Sequence, residues 1–441
     1  MLVKTPTGTW LPAWVPQNTM VLMVLLLLCS MVQSATGGYD GSCLNGLNIL
    51  PAYANYFVLD AATEGLNTAA IFLGAIPANL VGGMITDYFG RRLTIFWFSL
   101  GTLVGVILQG AAQNVAMFVV ARVVLGFCSG VDGIAAAVYL NETFASRWRT
   151  WGAGTLNNFY YIGALIAAGI TLGTSKWPNS TWSWRLPSLL QGIFSIICIL
   201  ILPFVPESPR WLVGQERLEE ARIVVAQTNS NGDMDDPVSI AVYKEIVDTL
   251  HWEKTAGRSM SPLDMFRDKA SRRRLLIGAS PGVLTSSTGN IIASYYLGDE
   301  LNTAGITSVL AQLKANVVLN VWCFACAVAG TQFIARWGRK PSAIVCQTLL
   351  IVTLYIIGGL SKVYADQTAV NPNGATHAVV YGNVACIFLF QGFYSLVYTP
   401  ILNLYPVEVM NYSMRANGFA FMQFLLNCCA LVLVYVMPIG M

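Results

Sequence analysis

Charge is what this chain has least of. Asp, Glu, Lys and Arg make up 11% of its 441 residues, where ordinary soluble domains carry about 25%. At 55% hydrophobic, the chain has more apolar side chains than one water-facing core can hide, so it needs lipid. The net charge of +3 comes with no acidic or basic tail and no run that forms a nucleic-acid footprint, which excludes nucleic acid as a partner. Disulfide and metal frameworks are missing too. Nine of the ten cysteines (Cys29, Cys128, Cys198, Cys323, Cys326, Cys346, Cys386, Cys428 and Cys429) fall inside apolar runs, and only Cys43 lies near the end of one. Cys323-x-x-Cys326 has no second Cys/His pair and reads as helix packing. No nucleophile–base arrangement, phosphate loop or metal-ligand spacing stands out, so the chain is read as no enzyme and no cofactor is named. The first apolar run reads as a retained first span rather than a cleaved leader. It continues from Met20 through Leu47, only Lys4 precedes it as a basic residue, and no small-x-small site follows.

Long apolar runs are what the chain does have. With roughly 20 apolar residues per crossing, about eleven spans can be drawn. They cover 20–48, 65–86, 93–111, 115–139, 151–173 and 185–205, then 275–297, 306–334, 341–361, 376–404 and 413–437. The polar interlude Pro206–Arg274 separates the two sets. It opens on Pro206-Glu207-Ser208-Pro209-Arg210-Trp211-Leu212, closes on Arg272–Arg274 and holds most of the charge, including a helical run from Glu216 to Arg222. The division that follows is 1–19 as an N-terminal segment, 20–205 as a six-span half, 206–274 as a linker and 275–441 as an incomplete second half. The fold class is all-α, embedded in a membrane.

Basic residues set the expected orientation. Arg91/Arg92, Arg147/Arg149, the interlude, Arg336/Arg339/Lys340 and Arg415 all fall on one side, which places the N-terminus and the linker in the cytoplasm. The opposite loops carry only Lys176 and Lys362. Asn179-Ser180-Thr181, a glycosylation acceptor pattern, falls on that outer side, while the sequons at Asn141 and Asn411 fall inside.

The loops also repeat. Asp87-Tyr88-Phe89-Gly90-Arg91-Arg92 follows the second span, and Arg336-Trp337-Gly338-Arg339-Lys340 follows the second span of the second half. Glu142…Arg147-x-Arg149 follows span four, and Glu408…Arg415 follows span ten. A glycine before two basic residues suits a tight inter-helix turn whose guanidinium groups reach nearby carboxylates. Positive-inside topology alone would also put arginines there, but a doubled pattern is the mark of a parallel repeat about an axis normal to the membrane.

These residues carry a resemblance. Gly90-Arg91-Arg92, Arg122-x-x-x-Gly126, Pro206-Glu207-Ser208-Pro209-Arg210, Gly289…Tyr295-Tyr296 and Tyr405-Pro406-x-Glu408 resemble the sugar-porter branch of the major facilitator superfamily through nearly the whole chain. Gly38-Tyr39-Asp40-Gly41 and Thr399-Pro400…Glu408 look most like its fungal lactose-permease-like group. The resemblance implies two pseudo-symmetric six-helix halves, of which the twelfth span is missing here, so a truncated chain is expected. It also implies alternating-access transport of a mono- or disaccharide, with a sugar, a proton and membrane lipid as partners. A monomer in the plasma membrane is expected, with the interlude as a helical bundle beneath the two halves. Sugar:proton symport is the leading reading; a facilitative uniporter, a transporter-like sensor and an inactive fragment are the alternatives.

Asp40 and Arg122 are charges inside spans, where an unpaired one costs about 2.5–3.5 kcal/mol on insertion scales. A carboxylate facing a guanidinium stays ionised, and when the guanidinium leaves, burial favours the protonated form. A fixed ion pair joining two helices would use the same two residues. The resemblance adds that they match the proton-linked pair of proton-coupled sugar porters. Sugar hydroxyls need dense hydrogen bonding from amides, hydroxyls and aromatic faces. Asn157 and Asn158 sit where the family places a sugar-binding amide. Thr285, Ser286, Ser287, Thr288 and Asn290 match its sugar motif, followed by Tyr295 and Tyr296. Gln391, Asn403, Gln423 and Asn427 are weaker candidates, and interhelical hydrogen bonding competes at each position. The linker-side motif residues are Asp87, Gly90, Arg91, Arg92, Glu142, Arg149, Glu207 and Arg210 in the first half. Arg336, Gly338, Arg339, Glu408 and Arg415 are those of the second. The chain departs from the family at Ser286 (a glutamine in relatives), Cys323 (an asparagine) and Ala335, which stands opposite Asp87 in the repeat. These departures point to a substrate other than the common hexoses or lactose, or to weak affinity. Lys314 has no family role. Asp132 is assigned to helix packing or the inner vestibule.

Overall fold

The computed structural model describes residues 2–4, 10–12, 14–145, 152, 156–255, 264–370, 376–410 and 415–440. A short antiparallel pair, β1 (Leu2–Lys4) with β2 (Trp10–Pro12), precedes an otherwise helical chain. The helices of the first part are α1 (Thr19–Ile49), α2 (Pro51–Phe57), α3 (Ala61–Phe89), α4 (Arg91–Gly110), α5 (Val115–Thr143), α6 (Phe159–Thr174), α7 (Trp182–Leu190) and α8 (Gly192–Ile201). The linker holds α9 (Pro209–Gly214), α10 (Leu218–Asn229), α11 (Pro237–Thr255) and α12 (Asp264–Arg267). Then follow α13 (Lys269–Ser287), α14 (Asn290–Tyr295), α15 (Leu297–Thr303), α16 (Val309–Trp337), α17 (Arg339–Val370), α18 (His377–Val409) and α19 (Arg415–Gly440).

Among the described residues, nine helical stretches are long and apolar enough to cross a membrane, with Phe159–Thr174 a shorter apolar helix beside them. Three spans differ from the sequence reading. The fifth, expected over 151–173, is helical from Phe159 to Thr174, and of residues 151–158 only 152 and 156–158 are described. The sixth, expected over 185–205, starts earlier and is divided at Gln191 between α7 and α8. The seventh, expected as one helix over 275–297, is three helices broken at Gly289 and Tyr296. Gly289 has φ +87, a conformation L side chains avoid. Just before it, the Thr285, Ser286, Ser287 and Thr288 hydroxyls all donate back to carbonyls of their own helix, which weakens its last turn.

The repeated loops are alike in backbone as well as in sequence. Gly90 has φ 88 and ψ 162, and Gly338 has φ 87 and ψ 165, a region open essentially to glycine alone. Each glycine N–H closes the preceding helix at 3.1 Å, onto Thr86 and Ile334 respectively. Four residues on, the Thr94 and Ser342 hydroxyls return to the glycine carbonyls at 2.6 and 2.7 Å.

In the first part α3 and α4 pack on α5, and α1 packs on α6; in the second, α17 and α16 pack on α18, and α13 on α19. Across the seam between them, α19 lies along α3 and α16 along α6, with α1 touching α14 and α16. The linker helices build a small core of their own from Leu212, Val213, Ala221 and Val224 against Tyr243, Ile246 and Leu250. That bundle is tied to the start of α1: Thr19 N–H donates to Asn231 Oδ1 and Asn231 N–H to Thr19 Oγ1, both at 2.8 Å. The ends of the molecule are therefore distinguishable as a linker end and a far end.

Candidate functional site

Asp40 on α1 and Arg122 on α5 face each other inside the first half, both almost fully buried. Arg122 Nη1 donates to Asp40 Oδ1 at 3.1 Å and Nη2 to Oδ2 at 3.0 Å, a bidentate pair. Gln191, at the α7–α8 division, adds a donor: its Nε2 reaches Asp40 Oδ1 at 3.0 Å. Beside the pair, Gly41 leaves room for two rings from opposite halves. A Cβ built at Gly41 would stand 3.0 Å from the Tyr160 hydroxyl and 3.7 Å from that of Tyr295. Tyr295 packs edge-on against Phe72 of α3, with ring centroids 5.8 Å apart.

The two halves are hydrogen-bonded at both ends of the seam. Toward the linker end, Asn157 Nδ2 donates to the Thr399 carbonyl at 2.7 Å and Asn158 Nδ2 to Thr331 Oγ1 at 3.3 Å. The Tyr161 hydroxyl meets Ser395 Oγ at 2.7 Å and Thr399 Oγ1 at 3.1 Å. Toward the far end, Asn45 Nδ2 donates to Asn316 Oδ1, and Asn316 Nδ2 to Ser42 Oγ, both at 3.4 Å. The polar side chains that could grip a sugar hold the halves together in this state.

The other candidates have varied settings. Ser286 is buried and donates to the Gly282 and Leu426 carbonyls, joining α13 to α19. Thr288 donates to the Thr285 carbonyl. Asn290 lies beside the Tyr394 side chain, and its Oδ1 is buried without a protein partner. The Tyr296 hydroxyl donates to the Val434 carbonyl at 2.9 Å. Asn427 is half-buried on α19. Asn403 lies on α18, with its side chain outside the described set. Asn179 is exposed in the α6–α7 turn.

A family model for "Sugar (and other) transporter" matches residues 26–441. The chain belongs to that family. It is 30% identical to the MFS-type transporter criB of Aspergillus cristatus over 92% of this chain and 85% of that one. It is 26% identical to a high-affinity glucose transporter of Kluyveromyces lactis, over 87% and 71% of the two chains. Among solved structures it is similar to the proton:xylose symporter XylE bound to 6-bromo-6-deoxy-D-glucose, with a TM-score of 0.78 at 18% identity, covering 96% of this chain and 90% of that one. The fold is the major facilitator fold, and the chain is a multi-pass membrane transporter rather than an enzyme.

In this transporter Asp87, Arg91, Arg92, Glu142 and Glu207 of the first half form one bracket. Arg91 pairs with Asp87 at 3.0 Å and with Glu142 at 2.9 Å, and Ser208 Oγ donates to Glu142 as well. Glu207 caps α4: it accepts from the backbone N–H groups of Arg91 (3.1 Å), Arg92 (3.2 Å) and Ser208 (2.9 Å). Burial raises the Glu207 carboxyl above the ordinary glutamate range, while the backbone donors and both arginines pull it the other way. Gly90 is needed here twice over, because a Cβ would also meet Glu207 Oε2 at 2.9 Å. In the second half Arg339 grips Glu408 at 3.0 and 2.6 Å. That pair is about one-third exposed, where an ion pair adds about 0–1 kcal/mol. Arg210 opens α9 and Arg336 closes α16. Arg149 lies outside the described residues, and Arg415 opens α19 with its side chain outside the described set. Glu207→Ala is expected to cost about 1–2 kcal/mol, the worth of a helix N-cap, and Arg339→Ala less. Thermal unfolding of the detergent-solubilised proteins measures both, and equal losses would contradict the ranking.

Sequence reasoning missed Gln191, Tyr161 and the Asn45–Asn316 contact. A lone amide in an apolar run was the only signal for Gln191. The partners of Tyr161 lie 234 and 238 residues away and become visible only once the halves are docked.

Proposed function

We propose that this transporter moves a mono- or disaccharide together with a proton, by alternating access between the two ends of the seam. The observation that carries the reading is the buried bidentate Asp40–Arg122 pair beside tyrosines from both halves. With Arg122 engaged, Asp40 is held as the carboxylate. When substrate and seam rearrangement draw the guanidinium away, a buried carboxylate without its cation takes up a proton, since ionised groups are costly without a partner. One proton thus becomes linked to which end is open. Asn157, Asn158, Asn290, Tyr160 and Tyr295 supply the amides and aromatic faces that a sugar needs. They can exchange their seam contacts for sugar hydroxyls as one end opens. The linker end and the N-terminus are assigned to the cytoplasm, with a single chain as the working unit in the plasma membrane.

The names of the relatives support this reading, since glucose transporters and a proton:xylose symporter stand among them. The test is uptake into proteoliposomes with a panel of labelled mono- and disaccharides, with and without an imposed pH gradient. Acid outside is expected to drive one or a few sugars inward above equilibrium, with proton influx. Sugar movement without proton influx would replace symport by uniport, and no movement of any sugar would overturn the reading.

A further inference from the structure

Asp132 on α5 is a second carboxylate buried in the first half, fully inaccessible, and the transport cycle above does not use it. It lies ten residues beyond Arg122 toward the linker end, roughly 15 Å along the helix. Its Oδ2 accepts from Ser99 Oγ of α4 at 2.7 Å, and its Oδ1 has no protein partner. No cation bonds it among the described residues. The groups around it are Gln33 and Cys29 from α1, Ser99 from α4, Cys198 from α8 and Cys128 of its own helix. From α3, Ala75 and Ala78 stand nearest the adjacent Gly130. Arg92, whose charge reaches Cys29, donates its Nε to the Leu202 carbonyl. An ionised carboxylate in such a place is costly, and a bound proton removes the cost.

Polar side chains of the α7–α8 division, α8 and α1 are spaced along the stretch between this acid and Asp40. Gln191 bonds Asp40 through Nε2, and its own Oε1 is buried without a protein partner. One turn on, about 6 Å toward the linker end, the Ser195 hydroxyl is likewise buried and unpartnered. Cys198 follows in the next turn and is reached by Gln33 Nε2 at 3.9 Å, which also reaches Ser99 at 3.3 Å. Buried polar atoms without protein partners are where ordered water is held, given room and two or more partners.

We propose that Asp132 is a second proton-holding carboxylate, linked to Asp40 through Gln191, Ser195 and ordered water, which takes the proton when Asp40 re-pairs with Arg122. This rests on the proton-coupled reading above. The transfer balances: one O–H bond breaks at the Asp40 carboxyl, protons shift along the waters, and one O–H bond forms at Asp132 Oδ1. No electrons move. The returning guanidinium expels the proton from Asp40, and Asp132 is the acceptor within reach that has no cation of its own.

The test uses purified full-length protein in proteoliposomes. Asp132→Asn keeps the shape and the Ser99 contact but cannot hold the proton. It is expected to slow acid-driven sugar uptake about tenfold or more, in the range that proton-transfer groups contribute. Sugar-for-sugar exchange, which moves no net proton, should stay within about twofold. Infrared spectra of the sugar-free protein, with Asp40 paired to Arg122, should show a protonated-carboxyl carbonyl component in the wild type and in Asp40→Asn that is lost in Asp132→Asn. Should Asp132→Asn fail to fold, Ser195→Ala decides: acid-driven uptake slowed severalfold with exchange intact supports the relay, and unchanged uptake overturns it. A wild-type protein that moves no protons with sugar sinks the symport reading itself. A coupled wild type together with an Asp132→Asn protein of equal rate and equal pH profile sinks the relay alone.

Discussion

An Asp40→Asn protein is expected to exchange sugar across the membrane while accumulating none. At one proton per sugar, a gradient of one pH unit supports about tenfold accumulation, because a pH unit is worth about 1.4 kcal/mol. The wild type should approach that ratio, and the variant should stop at unity. Asparagine has the size of aspartate and still offers one carbonyl oxygen to Arg122, but it can neither carry the charge nor take the proton. The same substitution leaves the Arg122 guanidinium buried without a counter-charge, at a cost of about 3–5 kcal/mol where one member of a buried pair is removed. Part of any loss would therefore be instability rather than uncoupling. Adding Arg122→Gln separates the two, since the double variant carries no unpaired charge. It should recover stability and still fail to accumulate. Sugar accumulation by either variant at the wild-type ratio would exclude Asp40 as the proton site.

The readability of that pair from sequence has a physical basis. Asp40 and Arg122 interrupt apolar runs, where a charge calls for an explanation, and the family resemblance matched the two as a pair; the structure places them 3.0 Å apart. Gly90 and Gly338 were legible for a related reason: a turn open only to glycine leaves the same short signature twice, and both backbones take the same unusual dihedrals. The break at Gly289 was not legible, because hydropathy is averaged over a window longer than α14 and α15 together. A bent crossing and a straight one give the same average. The pairing of Asn157 with the Thr399 carbonyl was beyond reach as well. Sequence marks Asn157 as polar, but its partner depends on how α6 and α18 meet across the seam. Gln191 falls between these cases. An amide in a span costs less than a charge, so its presence demands less explanation, and its bond to Asp40 appears only when α1 and α7 are placed side by side.

A methyl group at residue 38 is expected to do far more damage than one at residue 37, although the two glycines are neighbours in one helix. Replacing glycine by alanine within a helix is favourable by about 1 kcal/mol on intrinsic grounds, so propensity alone predicts that both substitutions stabilise. Position 37 follows that rule, because a Cβ there meets nothing within 4 Å. At position 38 the Cβ would stand 1.8 Å from the Tyr160 carbonyl oxygen, and at Gly163 of the facing helix a Cβ would stand 1.9 Å from the Ala35 carbonyl. The obstructing atoms are backbone on both sides, so no rotamer can relieve the clash, and α1 and α6 must move apart. Overpacked cores lose about 1–3 kcal/mol where side chains can adjust, and a contact between two backbones sits at the upper end or above. Separation of α1 from α6 also shifts Asp40, two residues along, against an Arg122 held on a third helix. Gly38→Ala should therefore lower the thermal midpoint in detergent and abolish acid-driven uptake in the fraction that folds, while Gly37→Ala unfolds no earlier than wild type and transports normally. Equal stability and equal uptake for the two variants would mean that α1 and α6 do not meet through these glycines, and the placement of Asp40 beside Arg122 would lose its mechanical support.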